Sequence, residues 1–307
     1  MSKEINPYNN TALLVGSGLP QFNLISPEEI NQQIPHLIKD LNNKLSSLEQ
    51  SLEVKLQGSI QLGWEEVVTP LQQLSEQLRW SWGVVTHLNG VCTSPEMRNV
   101  YSKQQPEVVR FGNRLGQSRI VHQALCKLEE GSDKKLDDTQ KRILHSELVS
   151  MKHRGVGLVG TEQESFNAST ERLAKLSTTF SNNVLDSTQE WSLLLHKSSE
   201  VEGIPSRALE VLAEAAHKEG DKHAVNGNEP TAEDGPWRLG LDMPRYIPFI
   251  TYSNNRSLRE ILYKAHVSKA SHGKFNNKLL IEKILQLRQE QSRLLGYQNW
   301  AELSLAN

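Results

Sequence analysis

Leu37, Leu41, Leu45, Leu48, Leu52 and Leu56 recur at intervals of three and four. That spacing lines them along one face of an α-helix. The preceding Ser26-Pro27-Glu28-Glu29 reads as a helix start. Ser26 is placed to accept from an early amide, Pro27 suits the first helical position, and Glu29 would close a capping box. Pro35 is expected to break or kink the helix ahead of the leucine stripe, because proline has no N–H to donate. Gly58 marks the stop. Leu48 sits mid-stripe, and its truncation to alanine would cost about 2–5 kcal/mol if it is fully buried.

Four further stripes follow. Leu71, Leu74, Leu78, Trp82 and Val85 form the second. Thr93-Ser94-Pro95-Glu96 opens a third by a Thr-x-x-Glu pattern, predicted to run through Phe111, Leu115, Val121, Leu125 and Leu128 with a disturbance at Pro106. Asp137 or Asp138 opens a fourth carrying Leu144, Leu148 and Met151. Thr161-x-x-Glu164 opens a fifth with Phe166, Leu173, Leu176, Phe180 and Val184. Near residue 190 the pattern changes. Trp191–His196 and Trp237–Met243 are short apolar runs that predict two strands or extended segments. A helix over about 206–217 and a polar loop from Lys218 to Pro236 lie between them. Leu258, Ile261, Leu262 and Ala265 return to helical spacing, and a last strong helix spans about Asn277–Leu295, closed by Gly296.

Composition adds mainly exclusions. The 307 residues suggest about two domains, at ~150 residues each. Lys and Arg number 34 against 36 Asp and Glu, a net charge of −2, which argues against an electrostatic nucleic-acid binder. No apolar stretch approaches the ~18–20 residues that span a bilayer, and the first twenty residues resemble neither a secretory nor a transit leader. A cytoplasmic protein without nucleic-acid or membrane partners is the expectation. Cys92 and Cys126 are too far apart in sequence for a Cys-x-x-Cys site.

Gly155-Val-Gly157-Leu-Val-Gly160 has the Gly-x-Gly-x-x-Gly form of a dinucleotide site. That site requires a preceding strand in a βαβ unit, whereas a helical stripe ends near Met151; a helix-to-helix turn is the better reading. His217-Lys-Glu219-Gly-Asp221-Lys-His223 is rich in potential zinc ligands but falls on a helix end running into a polar loop, so solvated charges are preferred over a metal site. His266 and His272 are six residues apart and would face different directions on a helix. His-Glu-x-x-His, Gly-x-Ser-x-Gly and a phosphate loop do not occur. The residues by themselves assign no catalytic, cofactor-binding or metal-ligating position.

Several segments nevertheless resemble one family. They are Gly18-Leu-Pro-Gln-Phe22, Ile25-Ser-Pro-Glu-Glu29, His87-Leu-Asn-Gly-Val91, Ser94-Pro-Glu-Met-Arg98, Gly155-Val-Gly-Leu158 and Phe180-Ser-Asn-Asn-Val-Leu185. The most specific are Leu241-Asp-Met-Pro-Arg-Tyr-Ile-Pro248, Asn255-Arg-Ser-Leu-Arg-Glu260, Tyr263-Lys-Ala265, Leu287-Arg-x-Glu290 and Leu294-Leu-Gly-Tyr297. In order and spacing they resemble the amino-terminal portion of the thimet oligopeptidase/oligopeptidase A family of zinc metallopeptidases. The loop ending Glu233-Asp-Gly-Pro-Trp237 is more similar to plant organellar and cyanobacterial-type members than to the enterobacterial form.

The resemblance implies a mainly α fold, an amphipathic helical bundle forming one wall of a channel, with a minor two-stranded β element. It implies an extended segment over 1–25, a helical domain over 26–155, and over 156–307 connecting helices, the β element and the truncated start of a metallopeptidase unit. Family members hydrolyse short peptides with zinc held by His-Glu-x-x-His and a downstream Glu, the motif's Glu acting as general base. Those residues lie beyond Asn307, so no catalytic or metal role carries over to this chain, which is expected to bind no cofactor and to be inactive alone. The implied partners are short peptide substrates and the missing carboxy-terminal catalytic half. The alternatives are a non-catalytic helical peptide-binding or adaptor protein and, ranked below it, an independent zinc enzyme using His217, Glu219 and His223.

Overall fold

The computed structural model describes residues 11–16, 18–58, 62–131, 136–222 and 227–306. Among these residues the fold is mainly α, with eleven α-helices and one two-stranded antiparallel sheet. Two compact units divide the chain, one of Met1–Lys175 with Leu285–Asn307 and the other of Leu176–Ile284.

The first unit is built on α1 (Pro27–Gln57), which packs against α2 (Trp64–Val91), α3 (Pro95–Gly116) and α4 (Arg119–Glu130). The leucine stripe is what α1 buries: Leu37, Leu41 and Leu45 are fully enclosed. Leu48 is only partly buried, so the premise for its full truncation cost does not hold. Helix α5 (Asp138–His153) packs on α4 and contributes Leu144, Leu148 and Met151 to the same core. Asp137 caps it, accepting from the Gln140 amide at 2.8 Å while the Gln140 side chain accepts from the Asp137 amide at 3.1 Å. A long helix, α6 (Gly160–Glu190), begins in this unit. The end of α10 (Lys278–Leu294) rests on α6 through Gln291, which donates to Ser169 Oγ and Thr170 Oγ1 at 2.8 Å each.

Strands β1 (Ser192–Leu195) and β2 (Trp237–Gly240) of the second unit pair antiparallel, with Leu195 opposite Trp237 and Ser192 opposite Gly240. The two apolar runs read from the sequence therefore contain the strands, although the second run, Trp237–Met243, reaches past β2 into the first residue of α8. Helix α7 (Ser206–Lys218) covers β2, and α8 (Met243–Tyr252) packs on α7 and α9 (Arg256–Val267). Trp237, Leu239, Phe249 and Leu262 form the centre of this core. Asn277, almost fully buried, receives a hydrogen bond from Asn183 at 2.8 Å and donates to the Phe180 carbonyl at 3.1 Å, so one carboxamide ties the start of α10 to α6.

Several sequence expectations need correction. Helix α1 is continuous through Pro35, and α3 through Pro106. Pro35 is followed and preceded by the buried Ile34, Leu37 and Ile38, and burial of that face outweighs the roughly 3 kcal/mol that an interior proline costs. Glu29 does not close a capping box; Ser26 accepts from the Glu29 amide at 3.2 Å, while the Glu29 carboxylate accepts from the Leu13 amide at 3.2 Å. That bond holds the segment containing the buried Leu13 and Leu14 against the bundle. The cap of α3 is Ser94, accepting from the Met97 amide at 3.1 Å; Thr93 receives the Arg98 guanidinium instead. The predicted third helix is two, broken at Gln117–Ser118, where Ser118 caps α4. Thr161 lies inside α6, one residue past its start. The ten-residue α8 was not anticipated.

Candidate functional site

Helices α2, α3, α4 and α5 enclose a cavity of about 510 Å³ within the first unit. Leu71, Leu78 and Trp82 face it from α2, and Val108, Phe111 and Leu115 from α3. The floor is core: Val121, Leu125 and Met151 are buried. Trp82 is held in place by stacking on Tyr101, with ring centroids 4.9 Å apart. Glycines make the room, since Gly83, Gly112 and Gly116 lie on the walls. A Cβ at Gly116 would overlap the aliphatic part of Arg154, so that arginine runs where a side chain on α3 would otherwise lie. The mouth is polar and exposed, with Ser75, Arg79, Glu147 and Arg154.

A second cavity of about 610 Å³ lies near the junction of α3 and α4, with a different chemistry. Its two carboxylates are spent on Arg110 and Arg114, while Arg119 donates to the Leu158 carbonyl at 3.2 Å. Arg114 forks onto Glu49 at 2.9 and 3.3 Å, and Ser118 donates to the same carboxylate at 2.7 Å. Arg110 forks onto Glu171 at 3.0 Å twice, and this hydrogen-bonded pairing holds the guanidinium protonated above its already high range. Gln117 beside them uses its whole carboxamide. It donates to the Arg154 carbonyl and to Asn167 at 2.8 Å each and accepts from Gln163 at 3.0 Å and Asn167 at 3.2 Å. These bonds clamp the end of α3 to α6 and to the turn after α5. These bonds make the groove a structural joint, although the buried Asn113 Nδ2 in its lining has no hydrogen-bond partner.

The sequence-derived candidates resolve as follows. Gly155–Gly160 joins α5 to α6 with no strand before it, so it is a turn. Gly155 adopts φ 81°, and the Gly155 and Val156 amides donate to Lys152 and Met151 carbonyls at 3.0 and 3.1 Å, the paired bonds of a Schellman stop. Gly296 ends α10 in the same way, with φ 84° and the Tyr297 amide on Ser292. His217 Nδ1 lies 2.8 Å from Glu229, Glu219 caps the end of α7, and Asp221 receives a forked bond from Arg238 at 2.7 and 2.8 Å. His223 lies outside the described residues. His266 stacks on Tyr246, whereas His272 contacts Ser271. Among the described residues, no group of three His, Cys, Asp or Glu could hold a metal ion.

One pairing escaped the sequence reading. Cys126 Sγ lies 3.8 Å from His122 Nδ1, one turn apart on α4. The His-x-x-x-Cys spacing was the available signal. Burial pushes the thiol up and the imidazole down, so both are driven to their neutral forms. A nucleophilic cysteine needs the opposite shifts.

Comparison with known proteins decides the family. Residues 34–163 match the Neurolysin/Thimet oligopeptidase, N-terminal domain, and residues 249–307 match Peptidase family M3. A protein from Arabidopsis thaliana named probable cytosolic oligopeptidase A is 35% identical over 299 residues, covering 97% of this chain and 41% of that protein. The organellar oligopeptidase A (chloroplastic/mitochondrial) of the same plant is 36% identical over 299 residues, 97% of this chain and 36% of that one. Oligopeptidase A of Escherichia coli strain K12 is 33% identical over 300 residues, 96% and 41% of the two chains. The chain matches the amino-terminal portion of the thimet oligopeptidase/oligopeptidase A family. It spans about two-fifths of the length of these relatives. The cavity and the polar joint both fall largely within the stretch matching the family's amino-terminal domain. The interhelical glycine turn of this chain likewise sits where the resemblance placed it.

Proposed function

We propose that this chain is the helical amino-terminal part of an oligopeptidase A-like zinc metalloendopeptidase that hydrolyses short peptides, contributing a channel wall that restricts substrate size. The carrying observation is the 31–36% identity to oligopeptidase A proteins over nearly the whole chain. A size filter needs rigidity and shape, and helices of 31, 28 and 31 residues in α1, α2 and α6 supply long stiff elements without a reactive side chain. Zinc belongs to the whole enzyme; the described residues offer no ligand group for it, and no catalytic step is derived from them. The domain organisation proposed is the one read from the sequence, with 26–155 as the helical domain and 156–307 leading into the peptidase unit.

The other half of the enzyme is proposed to cover apolar side chains exposed on the second unit. Met243, Ile247 and Tyr252 on α8, and Ile261, Tyr263 and Val267 on α9, are about half exposed or more. Met243 with Ile247 on α8, and Tyr263 with Val267 on α9, lie one turn apart, so each pair falls on one side of its helix. A cytoplasmic setting is proposed; among the described residues no helix is long and apolar enough to cross a membrane.

The chain as given is expected to bind no stoichiometric zinc, to cleave no peptide, and to bind a hydrophobic dye. Elemental analysis showing one zinc per chain, with peptide hydrolysis blocked by a chelator, would overturn this reading in favour of an independent zinc enzyme. The gene separates the enzyme part from an adaptor: a reading frame continuing to His-Glu-x-x-His supports the former, and a stop codon after Asn307 the latter.

A further inference from the structure

Folded interiors rarely keep a void larger than a water molecule. Here five large apolar side chains of α2 and α3 remain only partly buried around about 510 Å³, and the floor beneath them is core. The volume lies in the range of small-molecule sites, ~300–1,000 Å³. The mouth carries two cations, Arg79 and Arg154, against one anion, Glu147. Arg154 spends one N–H on the Gly112 carbonyl at 3.4 Å. Among the described residues, Arg79 has no partner.

We propose that this cavity binds a small monocarboxylate with an unbranched apolar body, its chain lying between α2 and α3 and its carboxylate at Arg79 and Arg154. The net positive mouth selects an anionic head, and guanidinium matches a carboxylate in a forked geometry. The walls favour a hydrocarbon over a peptide end. Apart from Ser75 and Ser150, side chains lining the cavity below the charged mouth bring no hydrogen-bonding group except the Trp82 indole. Most of a peptide's amides would enter without partners, and leaving a buried polar group unpaired opposes binding. The proposal is independent of peptidase activity and concerns the amino-terminal unit alone.

Decanoate, below its micellar concentration, is the probe, titrated calorimetrically into the full chain with decanol, decylammonium and N-acetyl-leucyl-leucine as comparisons. One decanoate per chain is expected, bound about tenfold more tightly than decanol. Arg79→Gln, at an exposed position, should weaken decanoate about tenfold and leave decanol unchanged. Leu78→Trp, which adds bulk inside the cavity, should abolish binding of both while circular dichroism stays helical. If Leu78→Trp unfolds the chain, the Arg79→Gln contrast still decides. Absence of decanoate binding, equal binding of decylammonium, an unchanged decanoate affinity in Arg79→Gln, or tighter binding of the peptide acid would each overturn the proposal.

Discussion

Trp237→Ala is expected to lower the stability of the second unit by about 3–5 kcal/mol, the range for removing a buried large aromatic. Trp237 is 1% exposed and opens β2 opposite Leu195. Its indole N–H donates to the Ala232 carbonyl at 3.1 Å, so the ring also anchors the polar loop to the sheet. Gly235 lies directly over the ring: a Cβ there would come within 2.8 Å of it, and its backbone holds φ 66°. Truncation therefore opens a cavity, strands a carbonyl and frees the loop together. Trp237→Phe keeps most of the packing and loses the hydrogen bond, so about 1 kcal/mol is expected. Denaturant unfolding followed by far-ultraviolet circular dichroism measures both. Equal losses for the two variants would place the energy in the hydrogen bond alone.

Leu45→Ala is the corresponding experiment in the first unit, with about 2–5 kcal/mol expected. Leu45 has no exposed surface on α1, at the centre of the stripe that α2, α3 and α4 cover. Leu48, three residues further on, is half-buried at the edge of the same core. Leu48→Ala should cost markedly less, because part of its surface stays in water in the folded state. Matched costs for the two positions would show that the edge of the bundle is as closely packed as its centre.

That pair also shows how far the sequence can be read. The three-and-four spacing places Leu45 and Leu48 on one stripe, but how deeply each lies depends on which neighbours arrive, and the pattern carries no such information. Local chemistry was legible where it acts alone. Asp137 with Gln140 and Gly296 after Leu294 form the cap and the stop that their residue types predict. It failed where tertiary packing overrides a local cost, as at Pro35 and Pro106. Helix α8 was hidden because Pro244 and Pro248 fall within ten residues; the first occupies the opening turn, where no amide is needed, and Asp242 caps the start at 3.3 Å from the Arg245 amide. The α3–α4 break went unread although two signals were there: Leu115 and Val121 are six residues apart, off helical register, and Ser118 is a capping residue. The cavity was invisible in sequence. Its lining residues come from four helices, the apolar ones read as ordinary core, and the polar ones as ordinary surface.

A cavity between four helices also changes how the molecule answers to hydrostatic pressure. Unfolding eliminates internal voids, so the volume change that pressure acts on grows with them. The cavity bounded by Trp82, Phe111 and Met151 places such volume in the first unit, to the extent that its closed floor excludes solvent. A ligand that occupies the space removes that volume term, and bound protein should withstand higher pressure than free protein at the same temperature.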